Sequence, residues 1–217
     1  GTGKQRLAHG IHQASSRAAG PLISFRCGDV QPELIAEELF GVAVSPAVSR
    51  PGKLELASGG TLFLDEIEKL PKKTAAALAA ALREGKAHRL DETVVRPIDV
   101  RVIADCDSDL KRLTERGLFD RGLYDLVSRS VIRMPALRNR REDIPLLAEQ
   151  IIREIAEQHR MEPKQLLPET LTLLEQYDWP DNIKQLQSVL EQAFFHTAGT
   201  VIAPENINLM GDVKPDD

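Results

Sequence analysis

The sequence predicts an α/β fold with a parallel sheet flanked by helices, followed by a smaller helical part. Three observations carry that prediction. Gly59-Gly60-Thr61-Leu62-Phe63-Leu64-Asp65-Glu66 is a short apolar run that opens on glycines and ends in two adjacent carboxylates. Such a run reads as a buried parallel strand, with acidic side chains at the C-terminal edge where open α/β sheets place their ligands. Gly1-Thr2-Gly3-Lys4 leads directly into Leu7, Ala8 and Ile11, apolar positions at helical spacing. From Arg141 onward helical patterns succeed one another with no strand pattern between them, which divides the chain into a strand-rich and a helical part.

A chain of 217 residues can bury a core as one domain or as a large and a small one. Its 42% hydrophobic and 28% charged content is ordinary for a soluble globular protein. No apolar stretch is long enough to span a bilayer and the N-terminus lacks signal-peptide form, so a cytoplasmic protein without a membrane partner is expected. A net charge of −5 argues against the chain itself being a dominant nucleic-acid surface. Cys27 and Cys106 end separate apolar runs without metal-ligand spacing and read as small buried thiols. His9 and His12 stand three apart on a helical stretch, but no third ligand lies near them in sequence.

Taken in order, a glycine-rich turn into a helix, as in Gly1-Thr2-Gly3-Lys4, cradles phosphates with backbone N–H groups while the lysine reaches the β- and γ-oxygens. A full phosphate loop needs an earlier glycine and a preceding strand, so the sequence is expected to begin inside that motif. Pro21 to Cys27 is the next strand, and Pro32 to Phe40 a helix ended by Gly41. Val42 to Pro51, with two prolines and two serines, reads as a loop, and Gly52 to Ala57 as a short helix. Lys72 to Glu84 is a helix rich in alanine and leucine, stopped by Gly85, with its alanine face for packing. Lys86 to Pro97 suits a hairpin, Ile98 to Ala104 a core strand, and Asp107 to Arg116 a helix capped by Asp107 or Ser108. Ser130 to Pro135 gives a last strand. Three helices follow, one starting at Glu142-Asp143-Ile144-Pro145, one over Pro168 to Tyr177 and one over Ile183 to His196. The expected boundaries are an α/β nucleotide-binding part over 1–140, a helical part over 141–212 and a linker or frayed end over 213–217.

The carboxylate pair at the strand end has Walker B grammar. In a nucleoside-triphosphatase Asp65 would hold Mg²⁺, usually through water, and Glu66 would polarise the water that attacks the γ-phosphate. Together with Glu38-Leu39-Phe40-Gly41, Val100-Arg101-Val102-Ile103-Ala104, Leu137-Arg138-Asn139-Arg140-Arg141-Glu142-Asp143-Ile144 and Trp179-Pro180-Asp181-Asn182, these phrases occur in a specific order. In that order the chain resembles the AAA+ domain of bacterial enhancer-binding proteins, the sigma-54-dependent transcription activators, over nearly its whole length. The resemblance implies an AAA+ P-loop NTPase fold whose helical part is the lid subdomain. It also implies a hexamer-forming ATP module with active sites between protomers, a regulatory domain before it and a helix-turn-helix DNA-binding domain after it, both outside this sequence. Gly1, Thr2, Gly3, Lys4 and Gln5 would bind the nucleotide, and Asp65 the metal.

Several positions depart from the family pattern. Where the sigma-contacting loop with its GAFTGA signature is expected stands the shorter Val42 to Pro51, either because the loop is lost or because the sequence closes over residues that belong to it. The asparagine that senses the γ-phosphate corresponds to Asp107, whose carboxylate accepts hydrogen bonds but cannot donate one to phosphate. The asparagine that restrains the catalytic glutamate corresponds to Arg26, which implies a pairing with Glu66 that holds it inactive. The arginines supplied in trans, in a phrase like FREDLYYRL, become Asp120 and Leu126; a shift of register would bring in Arg121 or Arg129. The second sensor in the WPGNVREL phrase becomes Lys184, which keeps the charge and loses the bidentate fork.

The expectation is therefore a divergent AAA+ module of a bacterial transcription regulator. It binds ATP or ADP with Mg²⁺, lets the nucleotide set a homo-oligomer between dimer and hexamer, hydrolyses ATP weakly or not at all and makes no sigma-54 contact. Glu66 and Asp107 are its candidate catalytic residues and Lys184 a further nucleotide contact. RNA polymerase, and DNA through the outside helix-turn-helix domain, are the expected partners. The alternative is a working ATPase that remodels the sigma-54 polymerase holoenzyme; a third reading is an AAA+ chaperone or protease partner.

Overall fold

The structure, a computed structural model, describes residues 3–45 and 48–209. These residues group into two compact units, Lys4–Ile132 and the residues from Arg133 onward, the latter with Gly3.

The first unit opens with α1, Lys4–Gln13, and β1, Leu22–Arg26. After a 3-10 turn over Cys27–Asp29 come α2, Ile35–Phe40, then β2, Gly41–Ser45, and β3, Val48–Pro51. α3, Lys53–Leu56, leads into β4, Thr61–Asp65, whose first four residues are buried. A strand buried on both faces reads as a continuous apolar run. α4, Lys72–Glu84, ends where Gly85 adopts φ 64° and its N–H bonds back to Ala81. β5, Lys86–Ala87, and β6, Arg96–Pro97, form a short antiparallel pair before β7, Arg101–Ala104. α5, Leu110–Glu115, and α6, Arg121–Val127, complete the unit.

Three parallel strands in the order β1-β4-β7 make the central sheet. Its register pairs Arg26 with Asp65 and Leu64 with Ala104, so the chain leaves all three strands at one edge. The core around it takes in Phe25, Leu39, Leu62, Leu64, Leu78 and Phe119, and the alanine face of α4 is buried within it. α1 runs back along β4. Its His12 is buried, with Nδ1 2.9 Å from the equally buried Thr61 hydroxyl. Eight residues of helix rise about 12 Å and four of strand about 13 Å. The His12 tie near the start of β4 therefore delivers Lys4 to the level of the C-terminal strand ends.

Four expectations change. Val42 to Pro51 is not a loop: β2 and β3 form an antiparallel hairpin, pairing Gly41 with Pro51 and Val42 with Arg50. Its base is pinched where a Cβ on Gly41, at φ 81°, would lie 2.4 Å from the Arg50 carbonyl and one on Gly52 2.3 Å from the Leu39 carbonyl. The helix expected to start at Asp107 starts at Leu110, because the Asp109 carboxylate accepts the Arg112 N–H at 3.2 Å and caps it there. Ser130 to Pro135 forms no strand. β7 is paired with β4 alone, and Val131 and Ile132 are 68% and 60% exposed, not buried as a core strand requires. Finally, the helical unit contains a strand pair, given below.

In the second unit, 3-10 turns over Leu137–Asn139 and Arg141–Asp143 precede α7, Ile144–His159. β8, Gln165–Leu166, pairs in parallel with β9, Val201–Ile202, on either side of α8, Pro168–Gln176, and α9, Asn182–His196. Trp179 is fully buried and donates its indole N–H to the Leu174 carbonyl at 2.8 Å. The two sequence phrases of this unit hold each other. Asn182 Oδ1 accepts the Leu137 N–H at 2.7 Å, and the Arg141 guanidinium donates to the Glu175 and Gln176 carbonyls at 2.9 Å each and meets Asp178 at 2.5 Å. The tail over 213–217 lies outside the described residues.

Replacing His12 with alanine leaves the Thr61 hydroxyl buried and unpaired and should cost about 1–3 kcal/mol. Urea unfolding should show that loss, and His12→Ala combined with Thr61→Val should lose less than the sum of the two single changes.

Candidate functional site

Three strand ends supply the side chains of one edge. Arg26 ends β1, Asp65 ends β4 and Glu66 follows it, and Asp105 follows β7. Lys4, the first residue of α1, reaches the same edge.

Lys4 Nζ hydrogen-bonds Asp107, stands 3.8 Å from Asp105 Oδ2 and lies 3.4 Å from the Cys106 carbonyl. Burial alone would lower its ammonium pKa, but the bond to Asp107 and the charges of Asp105 and Asp107 raise it. The same bond holds the Asp107 carboxyl below its usual range. Asp107 is fixed through its backbone too, its N–H donating to Glu68 Oε1 at 3.1 Å.

Asp105, which the sequence reading passed over, organises the strand ends. Its Oδ1 accepts the Glu66 N–H at 2.9 Å, and its own N–H donates to the Leu64 carbonyl at 2.9 Å. That bond helps keep Glu66 in the left-handed region at φ 57°, ψ 50°, where a residue with a Cβ sits at a cost of order 1–3 kcal/mol. Asp65 is raised above the ordinary carboxylate range, first by burial and then by the charge of Asp105 and a hydrogen bond with it. The signal was available in sequence: Asp105 follows an apolar strand as Asp65 ends one.

Arg26 lies across the carboxylate pair. Its Nε is 3.4 Å from Asp65 Oδ2 and 4.0 Å from Asp29 Oδ1, and its Nη2 is 3.3 Å from Glu66 Oε1. Asp65, its register partner, is the first cause of a raised guanidinium pKa. Glu66 is accommodated on its other side by Gly28, where a Cβ would come within 2.0 Å of Oε2. Burial pushes the nearby Cys27 thiol up to about 12, so it stays an unreactive core group.

Of the other sequence-derived site residues, Gly1 and Thr2 lie outside the described residues. Gly3 precedes Lys4 with φ 92°. Gln5 is exposed on α1, and Lys184 is exposed in the first turn of α9, in the other unit.

A family model described as "Sigma-54 interaction domain" matches residues 1–133, and one described as "AAA+ ATPase lid domain" matches residues 138–211. The chain belongs to the sigma-54 interaction domain family. The phenol regulator MopR of Acinetobacter guillouiae is 40% identical over 197 residues, covering 89% of this chain and 35% of that protein. The transcriptional regulatory protein ZraR of Salmonella typhimurium is 36% identical over 213 residues, 96% of this chain and 48% of that protein. The chain thus spans half or less of the length of these curated relatives. The crystal structure of NtrX from Brucella abortus in complex with ADP superposes with a TM-score of 0.85 at 31% identity, covering 96% of this chain and 47% of that one. The fold is accordingly that of AAA+ P-loop NTPases, a parallel sheet flanked by helices with a helical lid.

Within this family frame, the departing positions have structural occupations. Asp120, at an expected finger position, caps α6 by accepting the Leu123 N–H at 2.8 Å. Leu126, at the other, packs against the core. Arg121 is exposed and pairs with Asp125 at 3.1 Å, one turn along the same helix. The hairpin that stands where GAFTGA was sought is tied at its base, with the Ala43 N–H donating to the Leu90 carbonyl at 3.1 Å and the Leu90 N–H to the Gly41 carbonyl at 2.9 Å. Arg89 forks onto both Glu55 oxygens at 2.8 and 2.9 Å and reaches the Ser49 hydroxyl at 2.6 Å.

The fold family implies Mg²⁺ at Asp65, and the side chains present do not fit it. Mg²⁺ demands near-octahedral oxygen ligation at about 2.0–2.1 Å. Here one Asp65 oxygen faces a guanidinium, and the carboxyl is hydrogen-bonded to Asp105.

Because Asp65 is raised, the folded state binds its proton more tightly than the unfolded chain. Its contribution to stability is therefore fullest below the ordinary carboxylate value and falls as pH rises through the elevated one. Asp105→Asn keeps an acceptor for the Glu66 N–H and removes the repulsion. Tm should rise at pH 7 and change little near pH 3.5, below the ordinary aspartate value of about 3.9, as thermal melts at the two pH values would read.

Proposed function

We propose that this chain is the nucleotide-binding module of a bacterial transcription regulator. It holds ATP or ADP at the Lys4 edge of the sheet, and occupancy sets assembly of the protein into homo-oligomers between dimer and hexamer. The observation that carries the reading is Lys4 itself, brought by α1 to the C-terminal strand ends beside Asp65, Glu66 and Asp105. The NtrX structures with ADP and with ATP support a nucleotide there. ZraR, a transcriptional regulatory protein, supports transcription regulation; RNA polymerase and, through a domain outside this chain, DNA are the partners in this reading.

Hydrolysis is weak or absent in this reading. Glu66, the expected water-activating base, is paired with Arg26 at 3.3 Å, and Asp107, at the sensor position, is paired with Lys4. Asp120 and Leu126 serve α6 and the core instead of an adjoining protomer. Loss of a finger arginine costs about 10³ to 10⁵ in rate in phosphoryl-transfer systems. Contact with sigma-54 is absent because the short hairpin lacks the glycines and aromatic residue of the contact loop. The match of residues 1–133 to the sigma-54 interaction model favours the second reading, a working ATPase that remodels the holoenzyme.

Titration of the purified full-length protein with ATP and ADP, followed by sizing, should show binding and a change of assembly state. ATP turnover should fall below the ~1 s⁻¹ floor of typical enzymes and Glu66→Gln should leave it nearly unchanged. A motor-like rate abolished by Glu66→Gln overturns the weak-hydrolysis reading, and binding of neither nucleotide overturns the reading as a whole.

A further inference from the structure

We propose that Arg26 takes the place of the divalent cation, so that this module binds nucleoside di- or triphosphate in its metal-free form. The inference rests on the nucleotide-binding reading above and concerns the chemical form of the ligand.

Arg26 is placed by the backbone. It is the last residue of β1 and the register partner of Asp65, and Phe25 before it is buried while Arg26 is exposed. Alternation along a strand turns neighbouring side chains to opposite faces, and parallel partners in register stand side by side. The guanidinium therefore spans Asp65 and Glu66 without a long or improbable reach, with Asp29 4.0 Å away as a third carboxylate.

An arginine differs from the other cation of this site in two ways. It cannot shed its charge by losing a proton, and its five donors in a planar fork suit carboxylates and phosphates alike. It therefore offsets persistently one of the two charges of Asp65 and Glu66, and it opposes the entry of a dication beside Asp65. Half of its side chain remains open to solvent, so donors are left for an incoming phosphate. Lys4 is the second fixed positive charge, ion-paired with Asp105 and Asp107. Phosphate oxygens arriving at this edge meet a guanidinium and an ammonium carried by the chain, in competition with the carboxylates those two cations already pair.

The test is binding of a fluorescent ADP analogue to the full-length protein, with excess EDTA or with millimolar Mg²⁺, for the wild type, Arg26→Asn and Arg26→Gln. Circular dichroism checks folding, which the half-exposed position should spare. Mn²⁺ in place of Mg²⁺, read by electron paramagnetic resonance, reports metal capture without reference to activity. Wild-type affinity should agree within about twofold between the two conditions, whereas the variants should bind at least about tenfold more tightly with Mg²⁺, a gap of about 1.4 kcal/mol. Mn²⁺ should be immobilised with ADP in the variants and not in the wild type.

A tenfold loss of wild-type affinity in EDTA overturns the proposal while leaving nucleotide binding intact. Metal-independent binding by both variants overturns the role of Arg26. Binding by no protein under either condition overturns this proposal together with the nucleotide reading.

Discussion

The parallel registration of three short strands is the constraint on which the site depends. β1, β4 and β7 each contribute a charged residue at or just beyond the C-terminal end, and the shared register leaves Arg26, Asp65 and Asp105 adjacent. Buried parallel strands must pair every interior backbone group with a neighbour, so these positions are set by the sheet and not by the loops that follow. α1 adds Lys4 from outside the sheet, and the buried His12 and Thr61 pair fixes where along β4 that helix lies.

The electrostatics follow from that crowding. Asp29, Asp65, Glu66, Asp105 and Asp107 share one edge with Lys4 and Arg26. Carboxylates outnumber cations, and the surplus is visible where two acids meet: Asp65 is raised by burial and by Asp105, while Asp107, against Lys4, is lowered. The two cations divide the acids between them, Arg26 serving the ends of β1 and β4 and Lys4 the turn after β7. Both pairings are partly open to solvent, which screens them.

Much of this was legible in the sequence, and the failures have physical causes. The strand over Thr61–Asp65 and the helix over Lys72–Glu84 stood out because continuous apolar burial and an alanine-rich helix stopped by glycine are local signals. The β2 and β3 hairpin reads as a loop in sequence because proline and serine content outweighs an alternation whose partner strand cannot be found from one segment alone. The α5 cap lies one or two residues beyond the expected Asp107 or Ser108, since Asp107, Ser108 and Asp109 are all competent caps and only tertiary pairing decides among them. Asp107 is held by Lys4, which leaves Asp109 for the helix. Ser130 to Pro135 has strand composition without a strand beside it, and composition does not report a neighbour. At the strand edge lie Lys4, Asp65, Glu66 and Asp107, which the motif phrases name, and the Arg26 pairing with Glu66 that the family resemblance implies. Asp105 was not found, because its role lies in a bond to the backbone of a residue 39 positions earlier.

The hairpin of β2 and β3 has a mechanical meaning. Gly41 and Gly52 let the backbones at its root approach closely, and Leu90 and Arg89 bolt its flank to the segment between β5 and β6. The Glu38 to Arg50 and Glu55 to Arg89 ion pairs connect it to α2 and α3. The hairpin is a braced spar, tied to the helices that lead into and out of it.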